Sequence, residues 1–129
     1  MKALAVLPGQ PAFPIEMEKA QLSSIFDFPS FAYPFEDPVA LLHDDDGIAN
    51  DRPPNRTING ELMPGPFYVI GVDDSGVLTD LSPLLAEKYL KVFSVPESFP
   101  PGRWKITTET EETPSAAIVR IKSRWIPEV

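Results

Sequence analysis

The chain has 129 residues, of which 43% are hydrophobic and 23% charged, and its formal net charge at pH 7 is −8. This composition indicates one globular domain rather than a disordered chain. Because the sequence contains no cysteine, it excludes a disulfide framework, a cysteine-ligated metal and a cysteine nucleophile.

The absence of cysteine is compatible with a reducing cytoplasm. The apolar start at residues 1–8 is too short for a signal-peptide core, and no stretch approaches the roughly 20 apolar residues of a membrane helix. We therefore expect a soluble, cytoplasmic protein.

The charge is unevenly distributed along the chain. Residues 1–95 carry six Lys and Arg against fourteen Asp and Glu, a net −8, whereas residues 96–129 carry five of each and are neutral. An acidic body repels phosphate, which disfavours direct nucleic-acid binding. Such a charge either keeps a small protein soluble or lets it mimic DNA in the basic cleft of another protein.

The start of the chain predicts a strand, an irregular segment and a helix. Residues 2–7 are apolar and are followed by Pro8 and Gly9, which predicts a buried strand ended by a turn. Two prolines make residues 10–14 irregular. Apolar residues over 16–26 recur at helical spacing, which predicts a short helix with acidic residues in its first turn.

The middle of the chain predicts three strands and a rigid loop. Residues 30–35 and 38–43 are strand-like, and the acidic turn at 44–47 ends in Asp-Gly, a hairpin signal. Residues 52–60 contain two consecutive prolines, which predicts a stiff loop. Residues 67–70 are apolar and predict the buried strand around which the fold is organised.

The end of the chain predicts a second helix and a hairpin. Residues 82–93 show helical spacing after Ser82, a suitable N-cap that is followed by proline. The proline-rich residues 96–102 predict a linker. Residues 103–110 and 116–125 alternate in polarity and predict a β-hairpin.

These elements predict a single α+β fold. It consists of a small mixed or antiparallel sheet with two helices and a C-terminal β-hairpin. Residues 1–95 form the predicted core domain. Residues 96–129 form the hairpin extension, which we expect to pack on the same domain.

One candidate site lies in the predicted stiff loop. Asn55 and Arg56 supply several hydrogen-bond donors, and arginine binds a carboxylate or phosphate bidentately. Together with Arg52 they form the predicted ligand-binding or partner-binding site. In the structural alternative, Asn55 caps loop backbone and Arg56 pairs with a local carboxylate.

A second candidate site lies on the predicted hairpin. Arg120, Lys122 and Arg124 alternate onto one face, whereas Trp104 and Trp125 can pack on the other. The basic strip suits the acidic body, a partner's acidic patch or a phosphate backbone. The alternative is a solvated strand whose basic residues deter edge pairing.

The sequence offers no recognisable catalytic or metal site. The acidic run at residues 44–46 and the one at 73–74 lack the ligand spacing of a calcium loop, so we expect solvated turns. His43 is the single histidine and has no partner motif for a triad or a zinc site. No phosphate loop or dinucleotide fingerprint is present. We predict no cofactor, no metal and no catalytic residues, which favours a protein that is not an enzyme.

A family resemblance rests on segments spread over most of the chain. They are the start at residues 1–9, the stretch 32–41, the turn 44–47, the loop 54–56, the strand 65–71, and the helix residues 81–82 and 87–89. In this order they resemble a small domain-of-unknown-function family found in phage, plasmid and conjugative-element proteins of bacteria. The likeness covers residues 1–93, departs from the family pattern at Pro66 and ends before residue 96. It implies a mobile-element accessory protein with no known reaction.

Together these observations predict a non-enzymatic binding or interaction protein that acts on a host factor or a small ligand. One alternative is an acidic DNA mimic that inhibits a host nucleic-acid enzyme, whose binding would weaken steeply with salt. A further alternative is a carboxylate-based hydrolase. A pocket with two carboxyl groups whose pKa values are pushed apart would favour it.

Overall fold

The computed structural model describes residues 1–128, and the side chains of residues 109, 118 and 120–122 lie outside that description. The chain divides into two compact units, Met1–Ser98 and Phe99–Val129. The described residues form ten strands, one α-helix and one 3-10 turn. In chain order these are β1 (Lys2–Val6), β2 (Phe13–Glu16), the 3-10 turn (Lys19–Gln21), β3 (Pro29–Ala32), β4 (Val39–Asp44), β5 (Pro54–Ile58), β6 (Glu61–Pro64), β7 (Phe67–Val72), β8 (Leu78–Thr79), α1 (Pro83–Val92), β9 (Gly102–Glu112) and β10 (Ala117–Pro127).

The first unit is built on one antiparallel sheet. Its strand order is β2-β1-β7-β4-β3, and β8 pairs with the end of β7. Strand β7 lies between β1 and β4, and its residues Phe67, Val69 and Ile70 are fully buried. The prediction that this apolar run is a central buried strand is confirmed.

Alternation along the strands gives the sheet an apolar cluster on each face. On one face, α1 covers residues of β1, β4 and β7; this cluster contains Leu4, Val6, Val39, Leu41, Ile58, Phe67, Val69, Leu81, Tyr89 and Phe93. On the other face, the segment after β2 covers the same strands; this cluster contains Ala3, Met17, Leu22, Phe26, Leu42 and Ile70.

Helix α1 begins directly after Ser82, the N-cap that the sequence predicts. The hydroxyl of its N-cap Ser82 accepts a hydrogen bond from the amide of Leu85, and Pro83 occupies the first turn. Tyr89 and the C-cap residue Phe93 are buried against the sheet. The prediction of a helix over residues 82–93 is confirmed.

The predicted helix over residues 16–26 is wrong, so the described chain has one α-helix instead of two. Glu16 is the last residue of β2, and the amide of Met17 bonds back to the carbonyl of Met1. Only the 3-10 turn is helical; Glu18 and Gln21 form a capping box across it. The apolar spacing reflects a loop that covers one face of the sheet. The prediction that residues 10–14 are irregular is likewise wrong, because Phe13 and Pro14 belong to β2.

The predicted stiff loop at residues 52–60 is instead strand β5, which pairs with β6. Asn59 and Gly60 connect the two strands with φ angles of 50° and 83°, the left-handed conformation that a two-residue hairpin turn requires. The hairpin predicted after the acidic turn at 44–47 is also wrong, since β4 pairs with β3 and β7.

The second unit is the predicted hairpin. Strands β9 and β10 pair in regular antiparallel register, with Trp104 opposite Trp125. The two indole rings meet edge to face at 5.5 Å, and Trp125 Nε1 donates to the carbonyl of Pro100. The hairpin prediction is confirmed. Among the described residues, no helix is long and apolar enough to cross a membrane.

Candidate functional site

Asn55 and Arg56, the first sequence-predicted site residues, lie inside the first unit. Their exposed fractions are 0% and 3%. Asn55 Nδ2 donates to the carbonyls of Val6, at 2.8 Å, and Gly65, at 2.9 Å. Asn55 Oδ1 in turn accepts from Arg56 Nη1 at 2.8 Å. The amide therefore ties β1 to the β6–β7 connection and orients the guanidinium.

The Arg56 guanidinium binds main-chain carbonyls from distant parts of the unit. Its Nη2 donates to Gln10 at 2.5 Å and to Phe93 at 3.1 Å, and Nη1 donates to Leu7 at 3.4 Å. Burial lowers the pKa of Arg56, and the nearby charge of Glu97 partly offsets the effect. Arg56 thus organises the chain around it. Its role in binding a ligand or partner remains a prediction.

Arg52 lies in a separate polar cluster. Its Nε donates to Asp44 Oδ2 at 2.6 Å, and Asn50 Nδ2 donates to the same oxygen at 3.0 Å. The amide of Asp46 donates to Asp44 Oδ1. The guanidinium of Arg52 also lies over the ring of Phe26, 5.2 Å from its centroid. These contacts fix the turn that follows β4.

Asp44 corrects the expectation of a solvated acidic turn, because its side chain is only 2% exposed. Burial alone would raise the pKa of this carboxyl group. Hydrogen bonds from Arg52, Asn50 and the Asp46 amide outweigh burial and hold the pKa below its usual value. The hydrogen bond from the Asp46 amide to the Asp44 side chain forms an Asx turn. The sequence signal for it was an aspartate at the start of a turn. Among the described residues, no cluster of His, Cys, Asp and Glu could hold a metal ion.

A third polar contact joins α1 to the segment before β4. Asp37 Oδ2 accepts from Lys88 Nζ at 2.5 Å and from the Tyr89 hydroxyl at 2.7 Å. The hydrogen bond from Lys88, followed by that from Tyr89, lowers the pKa of Asp37. Burial and the bonded Asp37 carboxylate raise the pKa of Tyr89 far above its usual range. Sequence reasoning missed this contact because its partners are more than 50 residues apart.

The basic strip predicted on the hairpin belongs to the second unit. Arg124 is exposed, and its register partner is Lys105, so two cations stand opposite each other across β9 and β10. The side chains of Arg120 and Lys122 lie outside the described residues. Like charges at directly opposed positions do not stabilise a strand pair. The binding role of the strip remains a prediction.

An open cavity of about 440 Å³ lies on the sheet face that the segment after β2 covers. We call it the tyrosine cavity. Its apolar lining comes from Ala5, Leu7, Phe13, Ile15, Met17 and Ile25; its polar groups come from Glu16, Gln21, Ser24 and Tyr68. This volume falls within the range of small-molecule sites, about 300–1,000 Å³.

Tyr68 contributes the aromatic wall of the tyrosine cavity. Its ring meets that of Phe26 at 6.2 Å. Burial raises the pKa of the Tyr68 hydroxyl, and the charge of Arg52 partly opposes this shift. The hydroxyl therefore stays protonated at neutral pH. Sequence reasoning missed the cavity, since its lining residues come from β1, β2, β7 and the segments that follow β1 and β2, and they share no local motif.

Comparison with known proteins concerns the first unit of the chain. No curated protein and no solved structure matches the chain. A family model described as Domain of unknown function (DUF3846) matches residues 1–94, almost the whole of the first unit. The chain belongs to the DUF3846 family, as the resemblance to a domain-of-unknown-function family predicted.

Proposed function

We propose that this protein is a non-enzymatic binding protein of a phage or other mobile element, which acts in the bacterial cytoplasm. Its ligand is a small molecule, or a part of a host protein, that enters the tyrosine cavity. The single observation that carries the proposal is this open cavity, where an apolar floor meets a few polar groups.

The ionisable clusters support binding rather than catalysis. The carboxylates of Asp44 and Asp37 are held by hydrogen bonds that stabilise their charged form. The pKa values of both are lowered, which is the opposite of what a general acid at neutral pH requires. Arg56 binds the carbonyls of its own chain. The side chains of Asp44, Asp37 and Arg56 thus stabilise the fold.

A blocked-cavity variant tests the proposal. Ser24 is exposed at the rim of the tyrosine cavity, so Ser24→Phe places an aromatic ring across the opening. Ser75 is exposed in the turn after β7, away from the lining residues, so Ser75→Phe is the matched control. Ligand-observed NMR with a library of small amphipathic fragments is the measurement.

We expect fragments to bind wild type and Ser75→Phe alike and to bind Ser24→Phe about tenfold more weakly or not at all. Native mass spectrometry of the protein purified from bacteria would reveal a ligand carried through purification. A library without a single binder, or fragments that bind Ser24→Phe as well as wild type, would contradict the proposal.

The charge of the first unit favours a second candidate function. Residues 1–98 carry six Lys and Arg against fifteen Asp and Glu, a net −9. Such a surface suits a DNA mimic that inhibits a host nucleic-acid enzyme. Competition with duplex DNA for a panel of bacterial DNA-binding enzymes tests this candidate. The DNA mimic requires that binding weaken steeply as salt rises, whereas ligand binding in the tyrosine cavity should change little.

A further inference from the structure

Strand β2 forms one outer edge of the sheet. Met1 and Met17 exchange hydrogen bonds across β1 and β2, from the Met17 amide to the Met1 carbonyl at 2.8 Å and from the Met1 amine to the Met17 carbonyl at 2.7 Å. The next pair, Lys2 and Glu16, is therefore a non-hydrogen-bonded pair of the ladder.

The contacts of Lys2 confirm this alternation. Its amide donates to Asp80, and its carbonyl accepts from Leu81, both on the side away from β2. Glu16 correspondingly turns its own N–H and C=O outward, away from β1. Two residues earlier, Pro14 also directs its carbonyl outward and has no N–H to offer.

Apolar cavities flank this edge on both faces of the sheet. The tyrosine cavity lies on one face. A second cavity of about 360 Å³, which we call the helix cavity, lies on the other face beside the start of α1. It is lined by Lys2, Ala3, Leu4, Pro14, Ile15, Glu16, Leu81, Pro83 and Ala86. Ile15 and Glu16 of β2 border both cavities.

We propose that the outer edge of β2 binds an extended peptide segment of a partner protein, which adds to the sheet as one more strand. This inference rests on the proposed binding function and names its ligand class. Successive side chains of a strand point to opposite faces. Two adjacent apolar residues of the segment therefore enter the tyrosine cavity and the helix cavity, while main-chain hydrogen bonds to Glu16 and Pro14 fix the register.

The charge around the β2 edge indicates which residues flank the apolar pair in the bound segment. The Glu16 side chain is 72% exposed beside the edge and lies 3.7 Å from the Met1 amine, and the first unit carries a net charge of −9. Lys2, at the rim of the helix cavity, is the one cation among the lining residues of the two cavities. A segment with lysine or arginine next to its apolar pair complements this surface.

Pro14 restricts what the edge accepts. Because proline lacks an N–H, the outward groups of β2 are one donor, at Glu16, and the carbonyls of Pro14 and Glu16. Proline on an edge strand prevents long, unspecific strand pairing. The edge thus suits a short segment held by few main-chain bonds, with side chains supplying the rest of the affinity.

An array of lysine-flanked decapeptides tests the inference, with the two central positions sampling all pairs of apolar residues. The tightest peptide is then titrated against two variants. Glu16→Pro removes the outward N–H and the carboxylate, whereas Glu16→Gln keeps the N–H and removes the charge with its ion pair to the Met1 amine. We expect Glu16→Pro to bind about tenfold more weakly than Glu16→Gln, since a bond to the edge is lost and a proline ring is added there.

Modified peptides provide a test on the unaltered protein. N-methylation of the peptide amides that face β2 should abolish binding, whereas methylation of the intervening amides should leave it within about twofold. Equal effects of the two methylation patterns, equal binding by Glu16→Pro and Glu16→Gln, or an array without a binder would each overturn strand addition. Fragment binding that Ser24→Phe blocks would then still support the proposed function, so the two failures are distinguishable.

Discussion

The guanidinium of Arg56 lies 3.1 Å from the carbonyl oxygen of Phe93, the C-cap residue of α1. A cation at this end of a helix offsets the partial negative charge of the last carbonyls. Arg56 belongs to β5, so this contact holds the small β5–β6 hairpin and the helix together. Arg56, which sequence reasoning assigns to a binding loop, therefore holds two elements together inside the first unit.

Arg56→Ala should lower the free energy of unfolding by about 3 kcal/mol, because three carbonyls and the Asn55 amide lose a charged partner in a buried place. Urea denaturation measures the loss. The matched control is Arg103→Ala at an exposed position, for which we expect a change within about 0.5 kcal/mol. An Arg56→Ala protein as stable as wild type would contradict this structural role and favour the prediction that Arg56 binds a ligand or partner.

Asp44→Asn should destabilise the protein by about 2 kcal/mol at neutral pH, since the buried carboxylate accepts three hydrogen bonds. The lowered pKa of Asp44 sets the pH dependence. Its contribution is fully present above the unfolded pKa, about 3.9, and is lost as pH falls from there through the lower folded pKa. The stability difference between wild type and Asp44→Asn should shrink over that acidic window in urea titrations.

Asp45→Asn serves as the control for this pH series, because Asp45 is the exposed neighbour of Asp44. We expect it to follow wild type within about 0.5 kcal/mol at every pH. A difference between wild type and Asp44→Asn that stays constant down to the most acidic point would contradict the lowered pKa.

Tyr89→Phe should cost about 1 kcal/mol by removing the hydrogen bond to Asp37. Because the pKa of Tyr89 is raised, the stability of the protein also depends on pH in the alkaline range. A raised folded pKa contributes stability below the unfolded value, about 10, and that stability is lost as pH rises above it. Wild type should therefore lose more stability than Tyr89→Phe between neutral and strongly alkaline pH. Tyr33→Phe, at an exposed position, should behave as wild type in the same titration.

The edge-to-face contact of Trp104 and Trp125 predicts a spectroscopic signature for the second unit. Two coupled indoles at this distance give a paired positive and negative band in far-ultraviolet circular dichroism. The chain contains only these two tryptophans, so Trp104→Phe alone should abolish the paired band. A band that survives the substitution would show that the indoles are not its source.

The sequence predicted those parts of the fold that local chemistry determines. Strand β7 is a continuous apolar run, and α1 has a serine cap followed by proline. The hairpin of the second unit alternates in polarity over both strands. In each case, neighbouring residues carry the whole signal.

The failures occurred where distant residues decide the structure. The segment after β2 has helical spacing, yet its apolar residues Met17, Leu22 and Phe26 cover the sheet from a loop. The hydrogen bonds of Asn55 and Arg56 to the carbonyls of Val6, Gly65, Leu7 and Gln10 join residues distant in sequence, so no local pattern shows them. The tyrosine cavity was not predictable, because four separate segments build it.

The carbonyls that Arg56 binds have a consequence for synthesis on the ribosome. They belong to Leu7 and Gln10 near the start of the chain and to Phe93 near the end of the first unit. Before residue 93 leaves the exit tunnel, the guanidinium lacks the carbonyl of Phe93 as an acceptor. Closure of the first unit therefore has to wait until nearly all of its 98 residues have emerged from the ribosome.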